Sequence, residues 1–519
     1  MNKHIKSTLA ILALFYSTSC NGSLWGSYAS TRTISPEFRY TETLAPLMIT
    51  ATALAGFQEQ PVQSTPTETS IFLQDATETP QSTVVYEAQS GDSLEVVAIH
   101  FGVDPDEINS SGPLPANGFL TPGTILFIPN RLFGIPSTPA TRLLPDSEIV
   151  YGPSAVDFNI SMYADEKGGF LSGYKEYLAL PGWISGAGAI EKLAFESSIN
   201  PRFLLGYLEY KSGWVMGDPF SSVDEKYPLG YKDPFYQGLY QELRLLVQEL
   251  DAGYYGWRSG ELTELQFKDG ITLRLAPSLN AGTVAIQYLF AQHLGYLDWL
   301  EAVDPNSEFL ALYSIMFGDP WERAALVEPS FPPGLVQPDF SFPFEVGIPW
   351  TFTGGPHPAW EKESALAALD FAPPSTESGC VESIAWVIAI TAGEIVRSAG
   401  GYVVLDLDGD GSEQTGWVVL YLHIATDDRI PAGTWVDEGD HIGHPSCEGG
   451  RAYGTHLHIA RKYNGEWVGA GGALPFVLSG WTTHEGETST HGTLTKGEQI
   501  IISSSVSSHE SLIIRLPDE

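Results

Sequence analysis

Apolar positions along this chain switch between the period of two of a strand and the longer period of a helix, and the switches divide it into blocks. Val84-Val85-Tyr86-Glu87-Ala88 reads as a strand, followed by a turn at Gly91-Asp92. A helix then runs through Leu94, Val97, Ala98 and Phe101, with Asp92 or Ser93 as its cap. Asp104-Pro105 predicts a second helix start, and Thr121 to Pro129 closes the unit with a strand. Residues 150–330 carry helical spacing, as in Leu239, Leu243, Leu246 and Leu250. There Asn200-Pro201 opens a helix that continues to Trp214. Tyr402 to Leu407 and Trp417 to Leu422 alternate around a Gly- and Asp-rich turn, which predicts a hairpin. The predicted fold class is multidomain. A small β-α-α-β module (83–131) precedes an α-helical middle domain (150–330) and a mostly antiparallel β domain (340–481). The tail, 482–519, is β-rich and its role is not legible. The Pro-rich stretch 331–350 reads as a linker or a lead-in strand.

The remaining blocks are compositional. Residues 21–82 are rich in Ser, Thr, Pro, Gln and Glu and cannot bury enough apolar surface to order themselves, so they are expected to form a flexible tether. Ahead of them, Lys3 and Lys6 precede the short apolar run Leu9 to Phe15 and the small residues Ser17-Thr18-Ser19 before Cys20. This is the pattern of a secretory signal, too short to span a bilayer. Small residues before a Cys resemble a bacterial lipobox, in which Cys20 would be lipidated and anchor the protein to a membrane; plain secretion is the alternative. With 26 Lys and Arg against 63 Asp and Glu, the net charge of −37 argues against a nucleic-acid partner. The chain holds three cysteines. With Cys20 carrying lipid, Cys380 and Cys447 remain, and an oxidising environment predicts a disulfide between them.

The chemistry concentrates in Gly454-Thr455-His456-Leu457-His458. Two histidines two apart on a strand point to the same side and can reach one ion or one reacting atom. Asp370 and His423 lie upstream, so the region offers a carboxylate and several imidazoles, the donors Zn²⁺ prefers. This set resembles the M23 family of zinc metallopeptidases, which cut peptide bonds in bacterial peptidoglycan. The resemblance covers about residues 340–480. It implies Asp370 and His458 as zinc ligands and His456 with His423 as the catalytic pair. His456 would be the general base, and His423 would steady the oxyanion or orient water. His423 is expected on the strand face of Tyr421 and Val419. The family's His-x-x-x-Asp motif has Leu366 in its first position here, which cannot bind metal. His357, after Gly354-Gly355-Pro356, is the expected substitute, delivered by a longer loop spanning Pro358 to Ala365.

Two further resemblances complete the expectation. Tyr86, Gly91-Asp92-Ser93-Leu94, Ile108-Asn109, Gly123 and Ile128-Pro129 resemble a LysM domain, a module that binds N-acetylglucosamine-containing glycans. The helix after Asn200 is faintly similar to the catalytic helix of lysozyme-like lytic transglycosylases. Lys211 occupies the place of that family's catalytic Glu, which leaves Glu209 as a second candidate catalytic acid, or a helical domain with no glycosidase activity. Asp406 to Gly411 looks briefly like a calcium loop, but its twelfth position is Trp417, so a hairpin turn is expected. His444, His484 and His491 receive no role. The expectation is an exported zinc metalloendopeptidase acting on peptidoglycan, held to glycan by its LysM-like module. A non-catalytic M23-like activator of wall amidases and glycan cleavage through Glu209 are the rivals.

Overall fold

The computed structural model describes residues 82–488 and 491–517. The signal segment, Cys20 and the tether up to residue 81 lie outside the described residues. Among the described residues, no helix is long and apolar enough to cross a membrane.

The N-terminal module is a three-stranded antiparallel sheet with one helix. Strand β1 (Thr83–Glu87) pairs with β3 (Ile125–Pro129), which pairs with β2 (Asn109–Ser110). Helix α1 (Leu94–Phe101) buries Val97, Ala98 and Phe101 against them. Ser93 is the cap, its hydroxyl accepting from the Val96 N–H. Asp92 is taken up by Tyr86 Oη and the Gln89 N–H, both at 2.7 Å. The predicted second helix is corrected. Asp104 and Glu107 form a capping box, but the helix is a single 3₁₀ turn, Pro105–Glu107, with no buried residue. An N-terminal signature alone does not extend a helix that has no apolar face to bury.

The middle region packs α2 (Gly186–Ser197), α3 (Pro201–Ser212), α4 (Leu239–Ser259) and α5 (Ala281–His293) around one core. Asn200 caps α3 with Pro201 inside the first turn. Leu239, Leu243, Leu246 and Leu250 form the buried stripe of α4.

The C-terminal region is built on a nine-stranded antiparallel sheet. Its strands are β4 (Pro349–His357), β5 (Ala368–Ala372), β6 (Gly393–Ala399), β7 (Tyr402–Asp406), β8 (Trp417–Leu422), β9 (Trp435–Val436), β10 (Leu457–Tyr463) and β11 (Leu512–Ile514), with Glu466–Trp467 added beside β10. Their order is β9-β6-β7-β8-β10-β5-β4-β11. The tail is thus part of this domain, since β11 borders β4. Strands Trp481–His484, Thr493–Lys496 and Gln499–Ile502 form a second small sheet, and Leu494 and Ile501 enter the same core. The Pro-rich stretch is no free linker either, because Phe340, Phe342 and Phe344 are buried there.

Alternation along the strands assigns the two faces. Leu369, Phe371, Val419, Tyr421, Leu457 and Ile459 face one core. Ala368, Val418, Leu420 and Ala460 face the other, which they share with the middle helices. The sheet and the helical region therefore have one continuous core, and the described residues fall in one compact unit.

Buried charge joins the blocks. Arg258 on α4 donates to Asp146 Oδ2 at 2.9 Å and pairs with Glu466 at 2.9 Å, and it also donates to the Ser90 carbonyl. Tyr254 donates to Glu466 at 2.9 Å. Beside this network, His100 of α1 stacks on Trp257, with ring centroids 3.5 Å apart. Burial pushes the His100 imidazole down to about 3 from its ordinary 6.5. The folded state thus excludes a proton that the unfolded chain binds. Stability from this group is complete above about pH 6.5 and declines as pH falls toward 3. Urea midpoints at about pH 7 and about pH 4.5 should differ less in His100→Phe than in wild type; an unchanged difference refutes the assignment.

Candidate metal centre

Asp370 and His458 face each other across adjacent strands, because β5 and β10 pair with His458 opposite Asp370. Both lie on the face of Ala368 and Ala460. His357 reaches them by a different device. The β4–β5 register shifts between Phe352 and Gly354 and again between Gly354 and His357. Gly355 sits at φ +114°, and a Cβ there would lie 2.6 Å from the Ala368 carbonyl oxygen, so this irregularity requires glycine. Leu366 takes no part; its carbonyl accepts from Ala470 N–H at 2.8 Å.

The resulting geometry is tight. His357 Nε2 lies 2.9 Å from Asp370 Oδ1, and His458 Nδ1 lies 3.3 Å from the same oxygen. One donor atom from each of the three falls within 4.8 Å of the others. His357 Nδ1 donates to the Pro358 carbonyl at 3.1 Å and His458 Nε2 to the Ala359 carbonyl at 3.0 Å. Each ring therefore keeps its lone pair for the centre. Despite their approach, His357 Nε2 and Asp370 Oδ1 are solvent-inaccessible and make no hydrogen bond of acceptable angle. Two buried lone-pair atoms aimed at a common point fit a cation. Two imidazoles and a carboxylate are a donor set suited to zinc.

Electrostatics agree. Burial opposes ionisation of Asp370, yet the nearby imidazoles, His357 foremost, hold its carboxyl well below the usual range. Burial pulls His357 down, but Asp370 outweighs it and the net shift is upward. Burial lowers His458.

His456 Nδ1 donates to the Gly454 carbonyl at 2.8 Å, which leaves Nε2 basic, 3.6 Å from Asp370 Oδ2. The His423 ring centroid is 4.4 Å from that of His456. Its expected position is corrected. Val419 and Tyr421 point into the opposite core, and His423 reaches the site only because it lies beyond β8 at φ +65°, which breaks the alternation. Its Nδ1 donates to the Glu448 carbonyl at 2.7 Å. Burial first, then the neighbouring imidazoles, push His423 down to about 4, so it is neutral near pH 7.

Cys380 and Cys447 are joined in a disulfide, Cα–Cα 5.8 Å. Cys447 follows Ser446, whose N–H donates to the His423 carbonyl at 2.6 Å and whose carbonyl accepts from His456 N–H at 3.3 Å. Thr455 Oγ1 accepts from the Val381 N–H at 3.0 Å. The bridge therefore ties together the two segments that carry His423 and His456. The disulfide is the one the sequence predicts; the hydrogen bonds around it are not legible there. Thr455 lay in view inside the Gly-Thr-His-Leu-His run, while the carbonyls of Ala359, Gly454 and Glu448 carry no side-chain signature.

Glu209 lies elsewhere. Its carboxylate is buried and accepts the N–H groups of Val215 and Met216 at 2.8 and 2.9 Å, closing the loop after α3. This is a structural use of the group, and Glu209→Gln should lower stability by about 1–2 kcal/mol in chemical denaturation. An unchanged denaturation midpoint would refute that use and restore Glu209 as a catalytic candidate. Asp406, Asp408 and Asp410 cluster in the β7–β8 hairpin. Asp406 there accepts from the Asp408 and Gly411 N–H groups.

Residues 142–330 match the family described as LasA, N-terminal domain. The similarity extends beyond that stretch. The chain is 24% identical over 375 and 376 residues to Protease LasA from two strains of Pseudomonas aeruginosa, covering 66% of this chain and 79% of theirs. Among solved structures, the chain is similar to the M23 metalloprotease pseudoalterin from the deep sea. The identity is 19% with a TM-score of 0.28, over 32% of this chain and 96% of that one. The catalytic domain of lysostaphin from Staphylococcus simulans gives 22% and 0.17, over 24% of this chain and 89% of that one.

Proposed function

We propose that this protein is an exported M23-type zinc metalloendopeptidase that cuts peptides of bacterial peptidoglycan. The carrying observation is the convergence of His357 Nε2, Asp370 Oδ1 and His458 Nδ1, two of them buried and without hydrogen bonds. These three residues would hold the ion. Zinc bound there supplies the positive charge that polarises a peptide carbonyl and makes water nucleophilic at neutral pH. His456 accepts the water proton at Nε2 and returns it to the leaving amine. His423 is neutral with its Nδ1–H occupied, so its Nε2 acts as an acceptor that orients water. The disulfide and Thr455 keep both rings in register.

In this reading residues 83–131 act as a LysM-like glycan-binding module that concentrates the enzyme on an insoluble substrate. A lipid on Cys20 holds it at a membrane surface. Incubating the mature protein with peptidoglycan should release amino groups, and a zinc chelator should stop the release. Folded protein that holds no zinc and releases nothing would overturn the peptidase and leave the non-catalytic activator.

A further inference from the structure

We propose that Arg244, on helix α4 of the middle region, is a positioning residue for the metal ligand His458. This rests on the peptidase reading and deepens it. The connection runs through the loop 358–367 between β4 and β5, the two strands that carry His357 and Asp370.

Ala359 in that loop is fully buried, and its N–H donates to the Ala365 carbonyl at 2.9 Å. Its own carbonyl oxygen lies 3.0 Å from His458 Nε2. A carbonyl only accepts, so Nε2 carries the proton and Nδ1 is the bare nitrogen that faces Asp370 Oδ1. The other tautomer would set a lone pair against the carbonyl and an N–H where the cation must sit. The position of Ala359 thus selects the form of His458 that can bind metal.

Ala359 is held from outside the sheet. Two residues on, Glu361 lies at φ +52°, in the left-handed region that a side chain with Cβ rarely adopts. Such a conformation persists where the surroundings over-determine it. Here Arg244 supplies the determination. Its Nε meets Glu361 Oε1 at 2.7 Å and its Nη2 meets Oε2 at 3.0 Å, a two-pronged ion pair at a partly buried site. Between them Trp360 packs on the helical core, beside Phe195 and Glu196 of α2. The middle helices therefore grip the loop at two consecutive residues, and the grip is passed on to one imidazole. Lysine cannot reproduce a two-pronged contact.

The test is zinc affinity of the full-length protein, measured by competition with a chromophoric chelator. Arg244→Ala should bind zinc about tenfold more weakly or worse, Arg244→Lys should fall between it and wild type, and the exchange Arg244→Glu with Glu361→Arg should recover most of the loss. In ¹⁵N-histidine spectra of the metal-free protein, wild-type His458 should be the Nε2–H tautomer, and Arg244→Ala should shift it toward a mixture. A merely structural role would lower the unfolding midpoint without moving the tautomer. Arg244→Ala with wild-type zinc affinity and an unchanged tautomer overturns the proposal. If that variant does not fold, Glu361→Gln, which keeps the loop and removes the charge, carries the same two readouts. Wild-type protein that binds no zinc would sink the peptidase reading, and the tautomer response to Arg244→Ala would still decide this one.

Discussion

Asp370→Ala should cost about a thousandfold or more in wall hydrolysis and should abolish stoichiometric zinc binding. Asp370 Oδ1 is shared between His357 at 2.9 Å and His458 at 3.3 Å, and Oδ2 faces His456 at 3.6 Å. Removing the carboxylate removes a ligand and the charge that organises three imidazoles. A thousandfold loss corresponds to about 4 kcal/mol of barrier, a reasonable share for one ligand of a catalytic ion. Without the ion, the variant should still fold, because Leu369 and Phe371 keep β5 in its core. Asp370→Asn keeps the shape and loses the charge, so it should resemble Asp370→Ala in activity. Zinc content by elemental analysis, alongside amino-group release, checks both. An Asp370→Ala enzyme with more than about a tenth of wild-type activity would refute the assigned centre.

Arg258→Ala should be among the most destabilising single substitutions in the chain. Its guanidinium is nearly enclosed and contacts Asp146, Glu466 of the β domain and the Ser90 carbonyl of the N-terminal module. Truncation leaves two carboxylates without their counter-charge in a low-dielectric interior. Breaking such a pair costs about 3–5 kcal/mol. Glu466→Gln in the Arg258→Ala background should recover part of that loss, since it removes an uncompensated charge. Chemical denaturation followed by Trp fluorescence would measure both. A loss below about 1 kcal/mol would show that the network is replaceable by water.

The site was legible in the sequence where its chemistry is carried by side chains at short spacing. His456 and His458 share a strand face by simple alternation, and Asp370 stands opposite by register. Gly354-Gly355-Pro356 marks in the sequence the irregularity that delivers His357, and the glycine at φ +114° is what the irregular strand needs. The position of His423 does not follow from strand alternation. Alternation would have buried it with Tyr421, and only a positive φ, which no pattern of apolar positions encodes, turns it back. The helices of the middle region followed from periodicity and caps. Their sharing of a core with the sheet did not, because Leu420 or Ala460 reads the same whether it packs on helices or on a second sheet. The single 3₁₀ turn at Pro105–Glu107 shows the reverse error, a good start signal with nothing apolar behind it.

The pairing of Leu512–Ile514 with Thr351, Trp350 and Pro349 has a consequence for biogenesis. Strand β4, which ends at His357, is a bare sheet edge until residues made much later in translation arrive to cover it. A chain still being synthesised carries the strand of His357 without its border, so the sheet around Asp370 and His458 is closed only at the end of synthesis.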